Sequence, residues 1–474
     1  MKTLSKSSYC SGLQCLKILW LKTHCPEEAQ ISESTQNVFD SGHTVGNYAK
    51  RYFGEYVEVP MDYDNFSESF QLALGTTKSH IAAGTPMICE AAFKFQNAIC
   101  FADILRVHDS GNVEIIEVKQ SASLKPQYMD DMAFQYYVIT HCGYNISKIS
   151  LMHVDREYVR RGDIEPQKLF KIVDCTREVL ALQKDIPENI EKMLQYSAQK
   201  DEPEMALGAH CSNPYPCTFW EHCHKTEDEC RDVACRVSNN DKTCHVSNIA
   251  PISNFNKEAI QEFLSEVRYP LYFFDFETTC QEPLPPVDGA SPYYPPIPFQ
   301  YSLHIQKSKD EDIETLEHRE FLADELTNRS VRALAEQLCH DIPKDAMVMA
   351  YNMTFEKGVI VRLADMFPDL KEHLLAIHGN FIDLMRPFRS KHLQTPEMEG
   401  KYSIKKVLPA LVPDLVYTGL EVQNGEMAYD TFKTLKSLSP DERKEKRNAL
   451  LAYCKLDTFA MVQILRKLVM LCSD

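Results

Sequence analysis

Two short stretches of this chain carry acidic residues at spacings that could do metal chemistry. In Leu271-Tyr-Phe-Phe-Asp275-Phe-Glu277-Thr-Thr279, four apolar or aromatic residues run straight into an Asp-x-Glu. So aromatic a run reads as a buried strand. Side chains alternate across a strand, so Asp275 and Glu277 share a face about 6–7 Å apart. Two bare carboxylates beside an apolar core are costly to bury, and divalent cations between them would offset that cost. The second stretch is Ile99-Cys-Phe-Ala-Asp103-Ile-Leu-Arg-Val107, then Asp109-Ser-Gly-Asn112, then Val113-Glu-Ile-Ile-Glu117-Val-Lys119. Two β-rich runs around a glycine-bearing turn predict a hairpin. Counting outward from the turn sets Asp103 across from the Glu117–Lys119 pair, whose members share one face. Acid, acid and lysine suit phosphodiester hydrolysis: the carboxylates hold Mg²⁺ or Mn²⁺, and the ammonium orients or deprotonates the attacking water. An ordinary cross-strand salt bridge on a solvated face is the alternative reading of that spacing.

Further elements must deliver partners to each group. A helix capped by Ser5 or Ser7 carries Leu16, Leu19 and Trp20 on its apolar face, and a second covers residues 41–53. In the C-terminal half, an amphipathic helix at 256–268 leads into the Asp275 strand. A proline-rich loop (283–298) follows, with a role over the site or against substrate. Then come strands at 299–306 and 318–322, a helix near 327–340 and a strand at 346–350. That last strand runs into Tyr351-Asn352-Met-Thr-Phe355-Glu356, with Asn352 as helix cap and Glu356 in the first turn. Phe381-Ile-Asp383 adds one more polar position. The final helix, opened by Ser439-Pro440, reaches about 471 with one break and presents Tyr453 and Asp457 on one face.

A chain of 474 residues holds two or three domains. It contains no run of eighteen apolar residues, and its N-terminus lacks the apolar stretch of a secretory signal, so a cytoplasmic protein is expected. Its seventeen cysteines then read as thiols or metal ligands rather than disulfides. The net charge of −17 divides as −10 over residues 1–230 and −7 over the rest. Such a balance argues against a protein that coats nucleic acid through a wide basic face, but permits one that grips a strand end in a metal-filled cleft.

The N-terminal residues resemble the PD-(D/E)XK nuclease superfamily, in its RecB-like branch, over residues 1–225. The resemblance carries over Asp103, Glu117 and Lys119. It adds Glu90 ahead of the hairpin and Gln135 on the following helix, with His43 a further position whose surroundings do not align. Cys211, Cys217 and Cys223 follow a C-x5-C-x5-C spacing, unlike the common zinc knuckles. Joined by Cys15, they are similar to the four cysteines of the iron–sulfur members of that branch, which implies a structural 4Fe-4S cluster. Zinc is the alternative, completed by Cys230, Cys235, Cys244, His222 or His224, and Cys10 could stand in for Cys15. Residues 226–267 read as a linker and connecting helix.

Residues 268–474 resemble the DEDD (DnaQ-like) exonucleases, which have an RNase H-like fold. Asp275, Glu277, Glu356 and Asp457 match the four acids, Tyr453 matches the tyrosine-bearing subgroup, and Asn352 and Asp383 are supporting positions. Glu356 stands where an aspartate is usual, one methylene longer. The whole is similar to a poorly characterised bacterial-type family joining both domains, whose phrases recur as Leu4-Ser-Lys-Ser, Pro214-Tyr-Pro-Cys and Tyr453-Cys-x-x-Asp-Thr458. The resemblance implies an α/β fold in two domains and a two-metal hydrolase with two nuclease sites, one trimming 3′ ends. The expected partner is nucleic acid, DNA ahead of RNA, at ends or single strands, with no membrane and no protein partner specified. A nucleic-acid-binding or assembly protein with one inactive domain is the alternative, and a zinc-dependent regulator built on the cysteines a third.

Overall fold

The computed structural model describes residues 3–30, 33–224, 252–415, 417 and 419–473, without the side chains of 33–40. Most of the expected linker, with Cys230, Cys235 and Cys244, lies outside the described residues. The chain is mixed α/β and forms two compact units. The first comprises Met1–Asp241 with Glu282–Pro285 and Gly289–Tyr293; the second takes the remainder. Among the described residues no helix is long and apolar enough to cross a membrane.

The first unit is built on one sheet: β2 (Val57–Glu58), β3 (Met87–Phe95), β4 (Ala98–Val107), β5 (Val113–Lys119), β6 (Ile146–Val154) and β7 (Phe170–Asp174), in that order. A two-residue β1 (Leu4–Ser5) pairs parallel to the start of β4. Both faces are buried, as the alternation along each strand requires. Leu105, Ile115 and Leu151 enter one core and Ile104, Ile116 and Met152 the other. The first core is closed by α1 (Lys6–Gln14), α4 (Phe66–Ala82), α5 (Pro126–His141), α7 (Thr176–Leu182) and α8 (Ile186–Ser197), which contribute Tyr9, Phe70, Phe134, Val179 and Met193, while α6 (Pro166–Leu169) gives Leu169 to the second. The second is closed by α3 (Glu33–Lys50) through Val45 and Ala49. The helix runs through Gly42 and Gly46 and starts at Glu33, earlier than the 41–53 expected from the local pattern, and Arg51–Phe53 follow it as a 3-10 turn.

The hairpin forms with Ile104 opposite Ile116 and Val107 opposite Val113. Its loop includes His108, whose N–H bonds the Asn112 carbonyl at 2.9 Å, one residue more than the expected turn. At the N-terminus one helix was expected and two form. Ser5 caps α1 by accepting from the Ser8 N–H at 3.2 Å. Cys15 then adopts extended backbone (φ −158°), and α2 (Leu16–His24) starts on a new axis.

The second unit centres on β9 (Leu271–Thr278), preceded by a short β8 (Asn254–Phe255) and α9 (Lys257–Ser265). Its sheet runs β11 (Glu317–Leu322), β10 (Pro298–Gln306), β9, β12 (Met347–Ala350), β13 (Phe381–Asp383). β10 is antiparallel to β9, whereas β12 is parallel to it and β13 parallel to β12. Leu271 and Phe273 pack into a core with Ala460, Met461 and Ile464 of the terminal helix, so Asp275 and Glu277, of the same parity, face that helix. Phe274 and Phe276 point the other way, their rings 4.5 Å apart. The terminal helix spans Pro440–Ser473 without the break expected from sequence. We number it α16, after α10 (Asn328–Asp341), α11 (Met353–Met366), α12 (Lys371–Gly379), α13 (Arg386–Arg389), α14 (Ile404–Leu411) and α15 (Gly425–Thr434).

Candidate active sites and a cysteine pocket

In the second unit, the end of β9, the first turn of α11 and the middle of α16 bring four acids together. Glu277, Glu356 and Asp457 are buried and Asp275 is partly so. Burial pushes the Asp275 and Glu277 carboxyls well above the ordinary range, and Asp457 pushes both further. Burial likewise lifts Glu356 to about 8. Asp457 rises only to about 6, because Tyr417 and Tyr453 hydrogen-bond its charged form. Tyr417 donates to its Oδ1 at 2.5 Å. Glu356 Oε2 is buried with no hydrogen-bond partner. A set of acids this crowded, with an orphaned oxygen among them, fits the oxygen-donor demand of divalent cations.

The supporting positions divide. Asp383 accepts from the N–H groups of Asn352 at 3.1 Å and Met385 at 3.0 Å, and pairs with Arg389 at 3.3 Å. It therefore braces the β12–α11 turn through Oδ1, while Oδ2, buried with no hydrogen-bond partner, leaves a charge that helps raise Glu356. Asn352 holds the cap position in the left-handed region (φ 71°), but its side chain makes no cap bond, which corrects the cap expected there. Asparagine tolerates this conformation because its short polar side chain relieves the clash that bulkier residues meet. Sequence reasoning missed Tyr417, Cys454 and the tie that fixes α16. Thr458 Oγ1 lies 2.8 Å from both Ser302 Oγ and His304 Nδ1, and Ser302 pairs with Asp275 in the ladder. Burial lowers His304 to about 3 and His318 to about 4, so this network is neutral at pH 7. The Cys454 Sγ lies 3.9 Å from Asp275 Oδ2.

In the first unit Asp103, Glu117 and Lys119 meet on the α5 face of the sheet. Asp103 Oδ2 accepts from the Val118 N–H at 2.8 Å, as the counted register requires. Lys119 reaches Glu117 at 2.7 Å and Asp131 of α5 at 2.5 Å. Gln135, fully buried, donates to Glu117 at 2.7 Å. Glu90 stands between the pairs Cys89–Ile104 and Ala91–Ala102, hence opposite Asp103, with left-handed backbone (φ 55°) and an ion pair to Lys50 at 3.2 Å. Lys6 was not foreseen. Its Nζ lies 3.0 Å from Glu117, 3.6 Å from Asp131 and 3.7 Å from Asp103. The β4–β5 ladder opens at residue 104, and β1 pairs with the stretch of β4 that β5 leaves, which lands Lys6 at the fork. Burial pushes Asp103 up to about 7, with Glu117 adding to the rise. Burial works the same way on Glu117, but Lys119 and Lys6 outweigh it and hold that carboxyl well below the usual range. His43 on α3 makes no contact that ties it to these residues in any hydrogen bond or ion pair described.

Cys15, Cys211, Cys217 and Cys223 line one pocket with Ile18, Leu21, Phe219 and Trp220. Gln14 at the end of α1 fixes the facing loop by donating to the carbonyls of His210 and Tyr215, each at 2.7 Å. Cys10 instead packs on the sheet core beside Asp131 and Lys119, so it is Cys15 that joins the other three. His222 pairs with Glu202 at 3.1 Å, and the His224 ring lies 5.5 Å from that of Trp220. Among the described residues no three of the pocket sulfurs fall within 4.8 Å of one another. Four thiols meet in one largely apolar pocket, a donor set suited to a thiophilic ion or a metal cluster.

Among curated proteins none matches this chain. A family model described as a domain of unknown function (DUF2779) matches residues 272–403, which include Asp275, Glu277, Glu356 and Asp383 but end before Tyr417, Tyr453 and Asp457.

Proposed function

We propose that the protein is a metal-dependent nuclease with two active sites: a DnaQ-like 3′–5′ exonuclease site in the second unit and a RecB-like PD-(D/E)XK site in the first. The observation that carries this reading is the convergence of Asp275, Glu277, Glu356 and Asp457 from three elements into one buried, mutually repelling group with an unpartnered oxygen. Mg²⁺ or Mn²⁺ bound there would polarise the phosphoryl group and lower the pKa of water. The four carboxylates hold the ions, while Tyr453, beside Asp457 on α16, positions the attacking water. Tyr417 orients Asp457 through its 2.5 Å bond. At the other site Asp103 and Glu117 are the metal-holding acids. Lys119, paired with Glu117 at 2.7 Å, would orient the attacking water, and Gln135 holds Glu117 in place through its own 2.7 Å bond. The cysteine pocket takes a 4Fe-4S cluster that closes α2 onto the loop at 209–223. DNA, at ends or single strands, is the substrate, with RNA the alternative.

The test uses end-labelled DNA and RNA with Mg²⁺ or Mn²⁺. Asp275→Ala with Glu277→Ala should abolish 3′ trimming, whereas Asp103→Ala leaves it intact. A wild-type chain that cleaves neither substrate with either metal ends the proposal. Anaerobic purification with iron, sulfide and zinc analysis tests the pocket, and zinc alone would exclude the cluster.

A further inference from the structure

The Cys454 thiol has no part in the reading above. It is fully buried on α16, one residue after Tyr453 and three before Asp457, and lies 3.9 Å from both the backbone oxygen and Oδ2 of Asp275. One donor atom each from Asp275, Glu277 and Cys454 falls within 4.8 Å of the other two, a grouping that no other His, Cys, Asp or Glu set makes among the described residues. Independently, the buried Glu356 carboxylate acts on both Asp275 and Glu277 and keeps Oε2 unpartnered. The site thus combines hard oxygen donors with one soft sulfur.

We propose that this centre also takes a thiophilic divalent cation of the zinc class, held by Asp275, Glu277 and the Cys454 sulfur, in competition with the hard ion of the reaction. This rests on the metal-dependent reading of the same site. Carboxylates and water suit magnesium and manganese, whereas a thiolate favours zinc and cobalt. Zinc accepts three protein ligands with one position left open. Ligation replaces the weak contact from the thiol to Asp275, and the thiol proton leaves to solvent. Because Asp275 and Glu277 belong to both ligand sets, the two cations exclude one another. Bound zinc withdraws both carboxylates from their arrangement with Glu356 and Asp457, and so acts as a brake.

The experiment titrates Co²⁺ into the chelator-treated full chain and into Cys454→Ser, and compares near-ultraviolet spectra. The pocket cysteines, common to both proteins, cancel in the difference. A sulfur-to-cobalt charge-transfer band should appear in wild type and be lost in Cys454→Ser. Zinc affinity should fall by more than about 100-fold, beyond what loss of an outer-shell partner costs, while manganese affinity is retained. Equal cobalt spectra and equal zinc affinities overturn the inference. Should Cys454→Ser fail to fold, Asp275→Asn, which keeps the thiol, must lose the same band, and a band retained there overturns it equally. Manganese-supported trimming by wild type separates the two ideas. Trimming without the band sinks the zinc site alone, and the band without trimming sinks the nuclease reading alone.

Discussion

Asp457 shows how much one side chain depends on neighbours that no local motif announces. Its Tyr453 partner is visible as an i, i+4 spacing, but Tyr417 arrives from forty residues earlier and donates to Oδ1 at 2.5 Å. Tyr417→Phe should weaken metal binding by about 10–100-fold, the usual cost of losing an outer-shell partner, as measured by Mn²⁺ titration. Lys6→Met should impair cleavage at the Asp103 site while leaving 3′ trimming unchanged in the end-labelled assay, since Lys6 contacts Glu117, Asp131 and Asp103 and lies in the first unit. Asp103, Glu117 and Lys119 were legible because a hairpin register can be counted, and Gln135 came with the resemblance. Lys6 and Asp131 were not, because a long-range strand pairing and a helix docking bring them in. Lys6 was nonetheless in view in Leu4-Ser-Lys-Ser, without a role.

At the scale of elements, β9 was the most readable part of the chain, since its alternation assigns Phe273 to the core and Asp275 to the same face. The α1–α2 break at Cys15 was not, because nothing local interrupts the helical pattern there and only the pocket explains the turn. α1 therefore carries Lys6 at one end and Gln14 and Cys15 at the other, coupling the acid–lysine group to the cysteine pocket through one rigid rod. α16 is held differently, by Thr458 against Ser302 and His304. Thr458→Val keeps the shape and leaves both partners buried without that bond. It should cost about 1–3 kcal/mol of stability, read by urea denaturation, and should lower trimming by shifting Asp457.

For the molecule as a whole, the uncompensated acids set the dependence of stability on pH. Asp103 near 7, Asp457 near 6 and Glu356 near 8, with Asp275 and Glu277 also raised, all bind protons more tightly folded than unfolded. Stability of the metal-free protein should therefore fall as pH rises toward 8, most steeply above about pH 6.5, because His304 and His318, held low by burial, bind protons only when unfolded and oppose the slope below that pH. Glu117 is shifted the other way and is ionised in both states across this window, so it adds no slope. Thermal melts in chelator should show the decline, and Mn²⁺ should flatten it by favouring the ionised acids. With a net charge of −17, nucleic-acid affinity should depend weakly on salt, because few phosphates can be neutralised. Finally, Asp457 lies near the midpoint of the 34-residue α16, far from either fraying end. Amide protons around it should exchange with deuterium only when the entire unit opens, while those near Pro440 and Ser473 exchange early. The lifetime of this acid in its place is thus set by global unfolding, and heat inactivation of trimming should track the loss of the fold rather than precede it.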